Sequence, residues 1–122
     1  VSPFSVNKSN SLKSTSEIDA VFKDGYKLSS KLISLYYDKS KKENHLRIAF
    51  SVGKKNHSLA TTRNKLKRLM KEALRKNGNE YLNDNLSYSL VFVYFSSKEE
   101  SFKSIENSMK SLLLSFQNKK LS

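Results

Sequence analysis

The 122-residue chain reads as a single α+β domain, a small mixed β-sheet packed by helices in the order α-β-β-α-β-α. Three observations predict it. Apolar residues alternate with a period of two in Ile33-Leu35-Tyr37 and in Leu46-Ile48-Phe50-Val52, as in strands that bury one face. Three other segments carry apolar residues at helical spacing. Finally, Leu90 to Phe95 is continuously apolar, which suits a central strand covered on both faces. The length bounds the core to one domain.

Residues 1–13 are polar and weakly patterned apart from Phe4 and Val6, and read as an extended arm. Ser14-Thr15-Ser16-Glu17 has the form of a capping box. Behind it, Ile18, Val21 and Phe22 share one face of a short helix. Asp24-Gly25 stops that helix, because glycine can take the left-handed terminal position. A strand is expected within Leu28 to Tyr37, with Ile33, Leu35 and Tyr37 pointing one way and Leu32, Ser34 and Tyr36 the other. The charged segment Asp38 to Asn44 reads as a hairpin-like connection to the strand at Leu46 to Val52. These two strands are therefore expected to be antiparallel neighbours.

Lys54 to Ala60 is a basic loop. The second helix should begin near Thr61 or Thr62, where a hydroxyl can cap it, and end at Asn77-Gly78. A turn segment follows around Glu80 to Leu86, and then the strand at Ser87 to Phe95. Ser97 and Glu100 suggest another capping box. Phe102, Ile105, Met109, Leu112, Leu113 and Phe116 describe the apolar stripe of a long last helix.

Charge narrows the function. The chain holds 23 Lys and Arg against 11 Asp and Glu, a formal charge of +12. Such a field favours a polyanion as partner, nucleic acid or an anionic membrane, and drives fast, salt-sensitive association. Base bias in a genome could scatter lysine without regard to function. Here, however, Lys54 to Lys76 contains nine basic residues and one acid. No apolar run approaches the ~20 residues a bilayer span needs, and no hydrophobic signal segment is evident. With no cysteine in the chain, disulfides and thiolate metal sites are excluded. No membrane association and a cytoplasmic location are the resulting expectations.

Most of the charge falls on the second helix. Successive residues turn by about 100°, so Leu66, Leu69, Met70, Ala73 and Leu74 gather on one arc. Asn64, Lys67, Arg68, Lys71 and Arg75 occupy the other. Like charges at i,i+4 destabilise an isolated helix by a few tenths of a kcal/mol per pair, about 0.2–0.5. Their tolerance points to an anionic partner. Arg63 and Asn64 lie in the first turn, where free amides favour phosphate. Lys65 belongs to the same basic run, and Lys54 and Lys55 extend the positive surface. Arginine forks and lysine point charges both suit phosphate.

The segment Ala60-Thr61-Thr62-Arg63-Asn64-Lys65-Leu66-Lys67-Arg68-Leu69-Met70-Lys71 resembles the signature of the bacterial ribonuclease P protein subunit. The flanks agree. Leu46-Arg47-Ile48-Ala49-Phe50-Ser51-Val52-Gly53-Lys54-Lys55 is similar to the family strand and Lys-Lys loop, and Asp19-Ala20-Val21-Phe22-Lys23-Asp24-Gly25 to the end of its first helix. The similarity runs from about Leu12 to Phe116. It implies the fold of the second domain of ribosomal protein S5, with a left-handed βαβ crossover where general chirality rules predict the opposite hand.

The resemblance also implies the function: a single RNA-binding domain over residues 1–122 that assists a catalytic RNA in removing the 5′ leader of precursor tRNA. Its partners would be ribonuclease P RNA and precursor tRNA, with no obligate protein partner inferred. Its cofactors would be the catalytic RNA and the Mg2+ associated with it. By that likeness, Arg63, Asn64, Lys65, Lys67, Arg68, Lys71 and Arg75, with Lys54 and Lys55, face the catalytic RNA. Ile18, Phe22, Tyr36 and Ser51 would line a cleft for the unpaired leader. The sequence departs from the family pattern at Ile18, often aromatic, at Gly53, commonly serine, and in a longer 56–62 loop. The arm is also less basic than usual.

Catalytic residues are not expected in the protein. His45 and His57 fall in predicted loops without acids at metal-ligand spacing and read as surface residues. Asp19, Asp24 and Asp38 lack the pairing of a two-metal nuclease. No phosphate-binding glycine motif or nucleophile-base pair is present. The chemistry implied by the resemblance is attack of water on the phosphodiester, leaving a 5′-phosphate on the tRNA and a 3′-hydroxyl on the leader, and it belongs to the RNA. A general RNA-binding module without a processing role is the competing reading; it predicts no preference for substrates that carry a leader.

Overall fold

The computed structural model describes residues 11–40, 45–82 and 86–121. Its elements are α1 (Thr15–Asp24), β1 (Tyr26–Ser29), β2 (Ile33–Lys39), β3 (Arg47–Val52), α2 (Ala60–Asn77), β4 (Tyr88–Tyr94) and α3 (Phe102–Leu121), with a 3₁₀ turn at Gly78–Glu80. The sheet order is β1-β2-β4-β3. β2 lies antiparallel to β1 and β4, while β3 runs parallel to β4 and is joined to it through α2.

The expected antiparallel pairing of the strands at 28–37 and 46–52 does not occur. β4 stands between them. Leu90, Val91, Phe92 and Tyr94 are all buried, so β4 loses apolar surface from both faces only in the sheet's interior. The connection from Asp38 is therefore no hairpin; residues 41–44 lie outside the described residues. The strand predicted from Leu28 is in fact two. Ser30 turns the chain, with its N–H and its hydroxyl both donating to the Ile33 carbonyl at 2.9 Å. Ser108 on α3 receives the Leu32 N–H at 3.1 Å and pins the turn.

The sheet divides the molecule into three layers. On one face Ile33, Leu35, Ile48, Val52, Leu90, Phe92 and Tyr94 pack against Leu66, Met70, Ala73 and Leu74 of α2 and Ile105, Met109, Leu113 and Phe116 of α3. Phe50 and Phe92 stack at 5.6 Å within this core. The alternation predicted for 33–37 holds, except that Leu32 precedes the strand and joins the main core. On the opposite face α1 lies over a smaller cluster of Leu12, Val21 and Val91. Residues 1–10 of the predicted arm lie outside the described residues. Beyond them, Ser11 bridges to Ile48, and the Leu12 N–H donates to the Ile48 carbonyl at 2.8 Å.

Helix ends refine the predicted caps. Ser14 caps α1 by accepting from the Glu17 N–H. Gly25 is extended, not left-handed. Its role is space: a Cβ there would lie 2.5 Å from the carbonyl oxygens of both Val21 and Tyr37. α2 starts at Ala60 behind Leu59, with no hydroxyl cap from Thr61 or Thr62. α3 is capped by Ser101, whose Oγ accepts from the Ser104 N–H at 3.2 Å, in place of the predicted Ser97 box.

Candidate nucleic-acid interface

α2 is amphipathic in the predicted sense. Leu66, Met70, Ala73 and Leu74 are completely buried, and Leu69 packs at the core's margin. The opposite side shows Asn64, Lys65, Arg68 and Lys71 exposed, with Lys67 and Arg75 half-buried. Burial of the apolar stripe orients the helix and thereby turns the opposite, basic arc outward. Lys54 and Lys55 lie exposed in the turn before the helix.

The cations differ in what holds them. The Arg63 guanidinium is turned inward, donating from Nη1 to the carbonyls of His57 at 3.0 Å and Ser58 at 2.7 Å. It braces the loop that carries Lys54 and Lys55. Arg75 makes a bidentate pair with Glu72, at 2.6 and 2.9 Å. That hydrogen-bonded pair holds the Glu72 carboxyl below the usual carboxylate range and raises Arg75. Lys65 reaches Glu99 at 3.6 Å, and both side chains are about half exposed, so screening leaves the pair weak.

His57 is not the surface residue its sequence context predicts. It is 6% exposed. Its Nε2 donates to the Ser96 carbonyl at 2.8 Å, and its ring lies 5.7 Å from that of Tyr94. Asn56 Nδ2 donates to the Phe95 carbonyl at 3.1 Å. The basic loop is thus hooked to the segment between β4 and α3. Loop histidines carry no periodicity, so no sequence pattern signals this burial.

The predicted cleft residues meet on the α1 side of the sheet. The strand registers set Lys27, Tyr36, Val91 and Ala49 in one transverse row, and Ser29, Ser34, Val93 and Ser51 in the next. Ile18 and Tyr36 border the smaller cluster. Phe22, 41% exposed, meets Tyr36 edge to face at 4.8 Å. The Lys27 ammonium sits 5.4 Å from the Tyr36 ring centre, a cation–π contact. Ser51 lies one row away from Tyr36, half-buried beside Val93. Sequence reasoning missed Lys27, Ala49, Val91 and Val93 here. The period-two pattern gave a face to Ala49 alone: Lys27 lies before the predicted strand, Val91 and Val93 sit in a run apolar on both faces, and only the register gives their neighbours.

Among the described residues, no three His, Cys, Asp or Glu side chains gather where they could hold a metal ion. No helix of the described residues is long and apolar enough to cross a membrane.

The family model described as ribonuclease P matches residues 6–117. The "Ribonuclease P protein component" of Clostridioides difficile (strain 630) is 37% identical over 108 residues, covering 88% of this chain and 91% of that protein. Its namesake in Clostridium kluyveri is 37% identical over 103 residues, covering 84% and 89%. The fold resembles that of the Staphylococcus aureus RNase P protein, with a TM-score of 0.75 at 23% identity over 89% of this chain and 96% of the other. The Thermotoga maritima RNase P protein superposes with a TM-score of 0.71 at 23% identity, over 85% and 94%. The matched span holds both the basic helix and α1 with the sheet face beneath it, and the chain belongs to the ribonuclease P protein family.

Proposed function

We propose that the chain works as two RNA-facing surfaces on one rigid sheet. As a protein component of ribonuclease P, it acts with the RNA subunit in 5′ maturation of precursor tRNA. In our reading the outer face of α2, with Lys54 and Lys55, seats the catalytic RNA, and the cleft between α1 and the sheet holds the leader. The observation that carries it is the sorting of α2, whose Leu66, Met70, Ala73 and Leu74 are fully buried while Asn64, Arg68 and Lys71 remain exposed.

Ribonuclease P depends on its RNA and on magnesium. In our reading the magnesium belongs to the RNA subunit. The protein's contribution is electrostatic and positional. Cations on α2 lower repulsion between phosphates. In the cleft, Phe22 and Tyr36 offer rings to unpaired bases while Lys27 attracts the backbone, a combination suited to single-stranded RNA.

The test reconstitutes the chain with the catalytic RNA at low magnesium and follows precursor-tRNA cleavage. Stimulation is expected, with tighter binding of precursor than of mature tRNA; equal affinities would favour a general RNA-binding module. Arg68→Ala should weaken binding to the catalytic RNA and lower its salt slope by about one. Lys110→Ala on α3, also exposed, should do neither. Equal losses at the two positions would refute the orientation.

A further inference from the structure

On the core side of the sheet, beside edge strand β1, the packing leaves an open cavity of about 630 Å³ lined by Tyr26, Tyr37, Tyr88 and Phe116. A volume of this order is in the range of small-molecule sites, about 300–1,000 Å³. α3 covers the neighbouring core but leaves this corner open. Tyr37 meets Phe116 edge to face at 5.2 Å, as does Tyr88. Tyr26 leans on Tyr37 at 5.7 Å and a 31° tilt, yet stays 69% exposed. A fixed tyrosine ring is thereby presented to solvent.

The surroundings are cationic. Lys39 and Lys119 contribute to the lining against the single acid Asp38, and Lys27 borders the cavity from β1 with its ammonium on the opposite face. Asp38 Oδ1 is engaged locally, accepting from the Lys39 N–H at 2.9 Å. Burial first, and the neighbouring Tyr88 and Tyr26 next, push the Tyr37 phenol above its ordinary range, so the floor stays neutral. Aromatic faces beside lysines match an unpaired nucleotide, with base on ring and phosphate on ammonium. β1 is only four residues long and carries Lys27, which makes it a poor edge for adding a peptide strand.

Lys27 connects this cavity to the other face. Its ammonium lies over the Tyr36 ring in the α1 cleft, and the same residue lines the cavity. We propose that the cavity receives an unpaired nucleotide of the precursor's 5′ leader after the strand leaves the α1 cleft and crosses β1. The inference rests on the reading of that cleft as the leader site. It assigns Tyr26, Tyr88 and Lys39 to a more distant part of the leader than Phe22 and Tyr36.

The experiment measures affinities of the reconstituted ribonucleoprotein for precursor tRNAs with a graded series of leader lengths, and for mature tRNA. Tyr26→Ala should leave short leaders and mature tRNA unchanged and weaken longer leaders by about tenfold, the scale of one lost base–ring stack. Tyr26→Phe, which keeps the ring, should bind like the parent. Lys39→Glu provides an independent second variant and should follow Tyr26→Ala. If Tyr26→Ala and Lys39→Glu bind every leader normally while Phe22→Ala weakens all of them, the cavity assignment is overturned and the cleft reading stands. If Phe22→Ala changes no leader, the cleft reading itself falls. Equal weakening toward mature tRNA or the catalytic RNA alone would overturn the leader as occupant.

Discussion

His57 offers a quantitative test of how the basic loop is held. In His57→Ala the Ser96 carbonyl loses the donor now at 2.8 Å. In this part-buried setting the unsatisfied acceptor costs up to about 1–3 kcal/mol. The variant also deletes a ring that is 6% exposed and packed near Tyr94, worth about 1–2 kcal/mol in lost burial and incomplete collapse. Because the two losses share one site they do not simply add, and a destabilisation of about 2–4 kcal/mol is expected. For a domain of this size that lowers Tm by roughly 6–16 °C. His57→Gln retains an N–H donor but not the ring, and should lose about half as much. Urea unfolding followed by circular dichroism gives both numbers if the m-value stays constant. A second consequence separates anchoring from bulk stability. Lys54, Lys55 and Arg63 all depend on this loop, so catalytic-RNA affinity should fall in His57→Ala at temperatures where the protein is still fully folded. A stability loss below about 0.5 kcal/mol, of the kind typical for exposed sites, would refute the argument.

Two further predictions address the pieces flanking the sites. Glu72→Gln should tighten catalytic-RNA binding and steepen its salt dependence, because it frees the Arg75 guanidinium from its bidentate partner; unchanged affinity would place Arg75 outside the interface. The folded-state pKa of Glu72 is lowered, chiefly by the Arg75 hydrogen bonds, so the pair is intact at neutral pH and is lost as pH falls through that lowered value. Gly25→Ala should destabilise the fold by about 1–3 kcal/mol through overpacking, since the new methyl would lie 2.5 Å from two backbone oxygens. The forced movement of α1 away from β2 should also weaken leader binding relative to mature tRNA. A denaturation midpoint equal to the parent's would show that the helix end yields without cost.

The legibility of this molecule in its sequence followed the range of the interactions. The core faces of β2, β3, α2 and α3 were readable because burial imposes a period on residues close in the chain. Leu66, Met70 and Ala73 could hardly sit anywhere but inside. The outward face of α2 followed by elimination, and its signature carried the family. Caps were less legible: Ser101 serves where Ser97 was expected, because a serine-rich stretch offers several equivalent oxygens. The Ser30 turn contains none of the glycine, proline or asparagine that usually announces one, so β1 was absorbed into its neighbour.

What the tertiary structure alone decided was adjacency. Strand order depends on which pairing buries the two apolar faces of β4, a comparison among distant segments that no local pattern contains. That order brings β4 between β2 and β3, sets Lys27 beside Tyr36 and Val91 beside Ala49, and leaves the Tyr26 corner open beside the end of α3. It also buries His57 against Ser96, 39 residues away. Composition and periodicity pointed to a polyanionic partner and to the outward face of α2 as the surface proposed to meet it. The Phe22–Tyr36–Lys27 group, the braced loop and the aromatic corner exist only because the packed sheet holds those side chains at fixed distances.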